Sequence, residues 1–336
     1  MSDFSPCRLC GEPYTEPRWE VDGYGIHQCR SCDLLFVTNV PDAKSLAAHY
    51  GNDYLARAAP YAGRIDSPNS ASRLNARARV RAIRAEVSGG CLLDVGCAGG
   101  EFLIEAFPYF DVRGVEVTEE SAARARKRGL SISVAADLSE LVAEGRRFDV
   151  ITLWDVIEHL PDPLGVLRQA RALLRPGGAL YMTTGDAASF VARISGKRWH
   201  LLTPPLHLFF FTPSSIGWML ERAGFSSPKI SYPSQKALLG FAAFKLADRA
   251  PSPSTRALRR LIDRLPIRHW AFGVNLWDMM LVAARGTEAS REPESAAAAV
   301  GVELLSGPPP PCGRGAGELP SSQASGVPAR WAEEHE

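Results

Sequence analysis

Between residues 89 and 286 the chain alternates short apolar runs with longer segments whose apolar positions recur at helical spacing. Cys91–Val95 reads as a strand that runs into glycines, and an apolar helix-like segment follows as far as Phe107. Residues 112–117 form the next strand-like run. Thr118 then stands where it can cap a helix whose first turn carries Glu119 and Glu120, and Gly129 stops it. Residues 131–135 and 149–153 read as further strands. Asp162-Pro163 supplies a cap and a first-turn proline for a helix that Arg175-Pro176-Gly177-Gly178 closes. A fifth strand spans 179–184, Thr212-Pro213 opens a helix ending at Gly224, and a last strand is expected near residues 276–284. Strands alternating with helices predict a Rossmann-like α/β fold, doubly wound, with a mostly parallel sheet covered on both faces.

The flanking regions differ. Residues 1–40 carry four of the seven cysteines, and residues 41–88 read as a helical connector. "ALLGFAAF" followed by "RALRRLIDRL" predicts a helical insertion near 237–272 that covers the sheet, with membrane contact as the lesser reading of its amphipathic pattern. Residues 287–336 turn to Ala, Gly, Ser and Pro with Trp331 the single aromatic, a composition that predicts a disordered tail. Net charge is +1, which gives no global electrostatic case for nucleic acid. Arg73, Arg77, Arg81 and Arg84 line one helical face; such a stripe reads first as solvated and only second as a grip on an acidic partner. The start of the chain lacks the pattern of a signal peptide. The longest stretch without Lys, Arg, Asp or Glu, residues 199–220, holds three prolines and two histidines, a poor membrane span. A cytoplasmic protein is the expectation.

"CRLCG" and "CRSCD" place Cys7-x2-Cys10 and Cys29-x2-Cys32 eighteen residues apart, the spacing of a four-thiolate zinc site. With four protein ligands no coordination position stays open, so the zinc is expected to be structural. Its loss is expected to loosen the amino-terminal segment while sparing the sheet domain.

The turn "LLDVGCAGGEFL" fits neither phosphate-binding pattern well. Ala98 stands where a dinucleotide fingerprint has its second glycine, and no Lys-Ser/Thr pair follows. Glu116 lies 20 residues beyond Gly96, at the carboxyl end of the second strand, where an acid can accept ribose hydroxyls. Together these suit a nucleoside that carries no pyrophosphate.

With those residues in view, "LLDVGCAGG", "VRGVEV", "VAADL" and "FDVITLWDVIEHLPDPLGVLRQARALLRPGGALYMTT" resemble the successive motifs of class I S-adenosylmethionine-dependent methyltransferases. The resemblance covers roughly residues 92–184. It implies that Asp94, Gly96, Ala98 and Gly100 shape the turn beneath the methionine part of the cofactor. It implies further that Glu116 binds the ribose, Asp137 and the Leu138 backbone hold the adenine, and Trp154 flanks the methionine end. Ala98 departs from the glycine most often found there, a tolerable change where the backbone needs no positive φ. The cysteine segment with the sequence after it also resembles the leader of a subset of these enzymes, many of which act on sugars, glycolipids or secondary metabolites.

A small-molecule acceptor is therefore expected, with a base to take its proton. His207, in the aromatic loop "PPLHLFFF", and His159 beside Glu158 in "VIEHLPDP" are the candidates. Phe209, Phe210 and Phe211 read as core before they read as a substrate box. Two rival readings stand beside this one: an inactive zinc-ribbon and methyltransferase-like binding protein, and an NAD-dependent nucleotide-sugar oxidoreductase. The sequence leaves open the acceptor atom and the oligomeric state.

Overall fold

The computed structural model describes residues 5–42, 70–249, 252–265, 267 and 270–287. Most of the expected connector and the expected disordered tail after residue 287 lie outside them.

The chain begins with three short strands, β1 (Glu16–Val21), β2 (Tyr24–Gln28) and β3 (Leu35–Val37). Helix α1 (Ala71–Arg84) follows, its first turn capped by the Ser70 hydroxyl, which accepts from Arg73 N. Ala76, Val80 and Ile83 are its buried face. The alternation then runs β4 (Cys91–Val95), α2 (Glu101–Ala106), β5 (Asp111–Glu116), α3 (Glu119–Lys127), β6 (Ile132–Val134), α4 (Ser139–Ala143) and β7 (Phe148–Trp154). A 3-10 turn, Ile157–His159, leads to α5 (Pro163–Leu173), β8 (Leu174–Gly185) and α6 (Phe190–Ser195), which a second 3-10 turn, Gly196–Arg198, follows. Then come β9 (Phe209–Phe210), α7 (Pro213–Arg222), β10 (Lys229–Ser231), β11 (Gln235–Leu238), α8 (Leu239–Arg249), α9 (Pro253–Asp263), β12 (Ala271–Val274) and β13 (Met279–Arg285).

The main sheet has seven strands in the order β10-β13-β8-β7-β4-β5-β6. From β6 to β8 all pairings are parallel; β13 runs antiparallel to both β8 and β10. Chain order reverses between β4 and β7, which puts the topological switch point beyond their carboxyl ends. Both faces are buried with a period of two. Leu92 and Val150 join the cluster under α1, α2 and α3, whereas Leu93 and Ile151 join the one under α5 and α7.

Three local outcomes differ from the sequence reading. The segment Arg175-Pro176-Gly177-Gly178 lies inside β8, which starts directly where α5 stops. The insertion contains the two expected helices, but β11 and β12 pair antiparallel at its two ends, Gln235 opposite Val274 and Leu238 opposite Ala271. Asn75 of α1 anchors it by exchanging two hydrogen bonds with the Lys236 backbone, at 2.7 and 3.0 Å. Part of the basic stripe is structural: Arg73 and Arg77 both pair with Glu105 of α2, and the Arg84 guanidinium lies 3.9 Å from the centre of the Tyr109 ring.

The third sheet element is the least expected. β9, from the loop after β8, pairs with β3, so the amino-terminal strands form a four-stranded antiparallel sheet β1-β2-β3-β9. No helix among the described residues is long and apolar enough to cross a membrane.

Candidate functional site

The glycine turn leaves β4 at the switch point. Gly96 N and Cys97 N both donate to Val115 O of β5, at 2.8 and 3.1 Å, which folds the turn across the ends of both strands. Gly96 and Gly100 have φ of +71° and +83°, and a Cβ at Gly96 would lie 2.6 Å from the Val156 side chain. Ala98 also has a positive φ, +47°. The condition under which alanine was to be tolerable is thus not met. A left-handed alanine costs about 1–2 kcal/mol relative to its right-handed form, so the turn holds Ala98 there against its preference.

Asp94, buried at the end of β4, accepts from Thr152 Oγ1 at 2.6 Å. Burial raises its carboxyl pKa to about 7, with the Thr152 hydroxyl only partly compensating. Glu116, 7% exposed, reaches back over the turn: Oε2 accepts from Ala98 N at 2.9 Å, and Oε1 accepts from Thr118 N and Oγ1. Thr118 therefore spends its hydroxyl on Glu116 instead of capping α3. Asp137 is exposed and accepts from the backbone and hydroxyl of Ser139, which lowers its pKa. The Leu138 N–H donates to Gln169 Oε1 at 3.0 Å, a partner that no sequence pattern flagged. Trp154 packs edge-on against Phe102, and its Nε1 is buried without a hydrogen-bond partner among the described residues.

Three further residues next to Trp154 escaped the sequence reading. Arg79 lies 4.8 Å from the centre of the Trp154 ring and donates to Asp155 Oδ2 at 2.6 Å; Thr183 Oγ1 donates to Asp155 Oδ1 at 2.7 Å. Asp155 itself has φ +57°. The only available signal was an arginine off the line of its helical neighbours, which is too common to single out.

Glu158, His159 and His207 come together although 47 residues separate the two histidines along the chain. One carboxylate oxygen and one nitrogen from each ring lie within 4.8 Å of one another. The rings meet edge to face with centroids 4.7 Å apart. His159 Nδ1 is 2.7 Å from Leu206 O, and His207 Nδ1 is 2.7 Å from Leu201 O. Each neutral ring must therefore carry its proton on Nδ1, which makes Nε2 the basic nitrogen. Burial pushes the Glu158 carboxyl up to about 8, helped by the nearby Asp155 charge, and lowers the pKa of His159. Glu158 Oε2 has no hydrogen-bond partner among the described residues. A cavity of about 10 Å³ touches Glu158, Thr184, Trp199 and His207, at the lower limit for one water.

The loop that brings His207 here is fastened at both ends. Near its start, Trp199 Nε1 donates to buried Asp278 Oδ2 at 2.9 Å, with His200 Nδ1 3.4 Å from the same oxygen. Near its finish, β9 pairs with β3, and Leu208 N donates to Glu158 O. Phe209, Phe210 and Phe211 are all buried, as core residues should be.

The four cysteines converge. Cys7 Sγ lies 3.6 Å from Cys32 Sγ, and Cys10 Sγ lies 3.5 Å from Cys29 Sγ, with all four sulfurs within 4.8 Å. Bonds of about 2.3 Å to a tetrahedral zinc put sulfurs about 3.8 Å apart, a separation that the Cys7–Cys32 and Cys10–Cys29 pairs already approach. The knuckles are not a detached unit: Cys7, Cys32, Leu34 and Phe36 share one core cluster with Leu208, Phe209 and Phe211.

A family profile described as a methyltransferase domain matches residues 69–227. A ubiquinone biosynthesis O-methyltransferase of Xanthomonas campestris is 31% identical over 202 residues, covering 54% of this chain and 84% of that protein. A protein of the same name in Pseudomonas paraeruginosa is 34% identical over 155 residues, covering 42% of this chain. The chain spans 66% of that relative's length. Among solved structures, the magnesium protoporphyrin IX methyltransferase of Synechocystis with bound S-adenosylhomocysteine is 14% identical. The match covers 73% of this chain and 100% of that one, with a TM-score of 0.45.

Proposed function

Because the chain belongs to the class I S-adenosylmethionine-dependent methyltransferases, we propose that it methylates a hydroxyl oxygen of a small-molecule acceptor. The observation that carries this reading is the Glu158–His159–His207 cluster beyond the carboxyl ends of β7 and β8, its carboxyl buried and its two imidazoles half-buried. The name of the relatives supports oxygen as the acceptor atom. A sugar, glycolipid or secondary-metabolite intermediate remains the proposed acceptor class.

The bound cofactor supplies an electrophilic methyl group on a sulfonium; the chain supplies positioning and a place for the acceptor's proton. Glu116 stands ready for the ribose. A carboxylate offers about four lone-pair sites, of which three are in use, so one hydroxyl can be accepted and a second would displace Thr118 Oγ1. Asp94, Gly96, Ala98 and Gly100 shape the methionine cradle, and Trp154 walls it. Asp137 and the Leu138 N–H serve the adenine once Gln169 releases that N–H. His207 takes the acceptor proton on Nε2, and Leu201 O stabilises the imidazolium through Nδ1–H. The His159 ring, edge to face with that of His207, holds it in place, and Glu158 stands beside the pair. The cavity beside them is too small for an acceptor, so the loop carrying His207 must shift to admit one.

The test is calorimetric titration with S-adenosylhomocysteine. Glu116→Ala is expected to weaken binding at least tenfold, about 1.4 kcal/mol, through lost charge-assisted hydrogen bonds. Unchanged affinity would take Glu116 out of the site. No binding by the intact chain at millimolar ligand would overturn the reading and leave the inactive binding protein in its place.

A further inference from the structure

The methyl-transfer reading leaves unused a cleft of about 200 Å³ between the four-stranded sheet and α6. We propose that this cleft binds an anion, the phosphate or carboxylate of a ligand that also carries a flat ring, and that the cysteine module and α6 form the site jointly. The inference stands independently of the proposed methylation.

The first argument is the aim of Arg18. The register of β1 against β2 slips between Pro17 and Trp19, so Arg18 is the extra residue of a bulge. Neighbours in a regular strand point to opposite faces; here Arg18 and Trp19 both line the cleft. The Arg18 guanidinium carbon lies 5.7 Å from the centre of the Trp19 ring, leaving a cation beside an aromatic face.

The second argument is charge. Arg193 of α6 lines the opposite wall. Neither Arg18 nor Arg193 forms an ion pair among the described residues. Asp33 also lines the cleft, its Oδ1 accepting from Gln28 Nε2 at 2.7 Å, so the lining holds two cations and one acid, with the Asp186 carboxyl acting on Arg193 from outside the lining and itself accepting from the Tyr232 hydroxyl. Two guanidiniums facing one space suit a planar or tetrahedral oxyanion, which each can grip with two N–H groups. The third argument is room. Ala187, Ala188 and Ala192 line this wall with the smallest side chains, and a cleft between two structural units is a frequent place for a ligand.

Phenyl phosphate and benzoate, each a flat ring with one anionic group, are the probes. Titrated calorimetrically into the full chain at low salt, at least one should bind saturably. Arg18→Gln and Arg193→Gln should each weaken that binding about tenfold, and Trp19→Ala should weaken it severalfold. Unchanged melting temperatures would show the variants intact. Phenyl phosphate binding alone assigns the site to phosphates, benzoate alone assigns it to carboxylates, and both together assign it to the shared anion chemistry. No saturable heat from either probe would overturn the proposal, as would undiminished binding in the Arg18→Gln/Arg193→Gln double variant.

Discussion

At the scale of single residues, Ala98 and Glu158 sit where their chemistry is disfavoured. Ala98 occupies a left-handed backbone conformation that glycine adopts without strain. Ala98→Gly removes a cost of about 1–2 kcal/mol and adds about 0.5–1 kcal/mol of chain entropy loss, a net gain of roughly 0.5 kcal/mol. Thermal melts should therefore show a rise of one or two degrees; a fall would mean the alanine methyl packs usefully. Glu158 gives a pH signature. Its folded pKa is raised from 4.5 to about 8, so between those values the folded state keeps a proton that the unfolded state has lost. That contribution to stability is complete below pH 4.5 and is lost as pH rises through 8. Glu158→Gln should therefore gain in melting temperature relative to the parent as pH goes from 5 to 8.5. A difference that stays constant with pH would show that the carboxyl is not burdened by burial.

At the scale of elements, the pairing of β3 with β9 changes what the zinc knuckles are for. Cys29 N donates to Leu34 O at 2.8 Å; Val37 N donates to Leu208 O, and the Thr212 hydroxyl reaches Asp33 O. The knuckle, the strand after it and the loop carrying His207 are thus tied together, with the Arg8 guanidinium 5.0 Å from the centre of the Phe209 ring. Sparing of the sheet domain on metal loss is no longer the expectation. Metal analysis should return one zinc per chain. In the Cys29→Ser/Cys32→Ser double variant, amide exchange should quicken about tenfold or more at Leu208 and Phe210 as well as in β2 and β3, because local opening would no longer be held by the metal. Cofactor affinity should stay within a factor of three, since the glycine turn is held by β5: Gly96 N and Cys97 N donate to Val115 O, and Ala98 N donates to Glu116 Oε2. Fast exchange confined to residues 5–37 would show two independent units.

At the scale of the molecule, the insertion is a separable addition. It leaves after β10 and returns before β13, and its two ends are already neighbours because Gln235 lies opposite Val274. Replacing residues 236–273 by an Asn-Gly turn closes the hairpin without disturbing the pairing of β10, β13 and β8. The shortened chain should fold and bind S-adenosylhomocysteine within about threefold of the parent; loss of binding would show that its dock on α1 supports the cofactor turn. The carboxyl edge of the sheet also gathers Asp186, Tyr232 and Asp278, where the Tyr232 hydroxyl donates to Asp186 Oδ2 at 2.7 Å and Asp278 anchors Trp199. No two of these three are near in sequence, so only folding could assemble them.

Local pattern was sufficient for the five parallel strands, the capped helices at Asp162 and Thr212, the glycine turn with Glu116 facing it, and the two cysteine knuckles. Each of these rests on interactions within a few residues or on a repeat with a fixed period, and such signals survive in a one-dimensional string. Tertiary structure decided the rest. It set the positive φ at Ala98, the capture of the Leu138 N–H by Gln169, the meeting of Glu158 and His159 with His207, and the joining of β9 to the amino-terminal strands. The contacts behind them join segments from 18 to more than 170 residues apart, from the Glu116 carboxylate on Ala98 N to the pairing of β3 with β9. Long-range pairings are chosen by the packing of the whole core, and no short stretch of sequence records them.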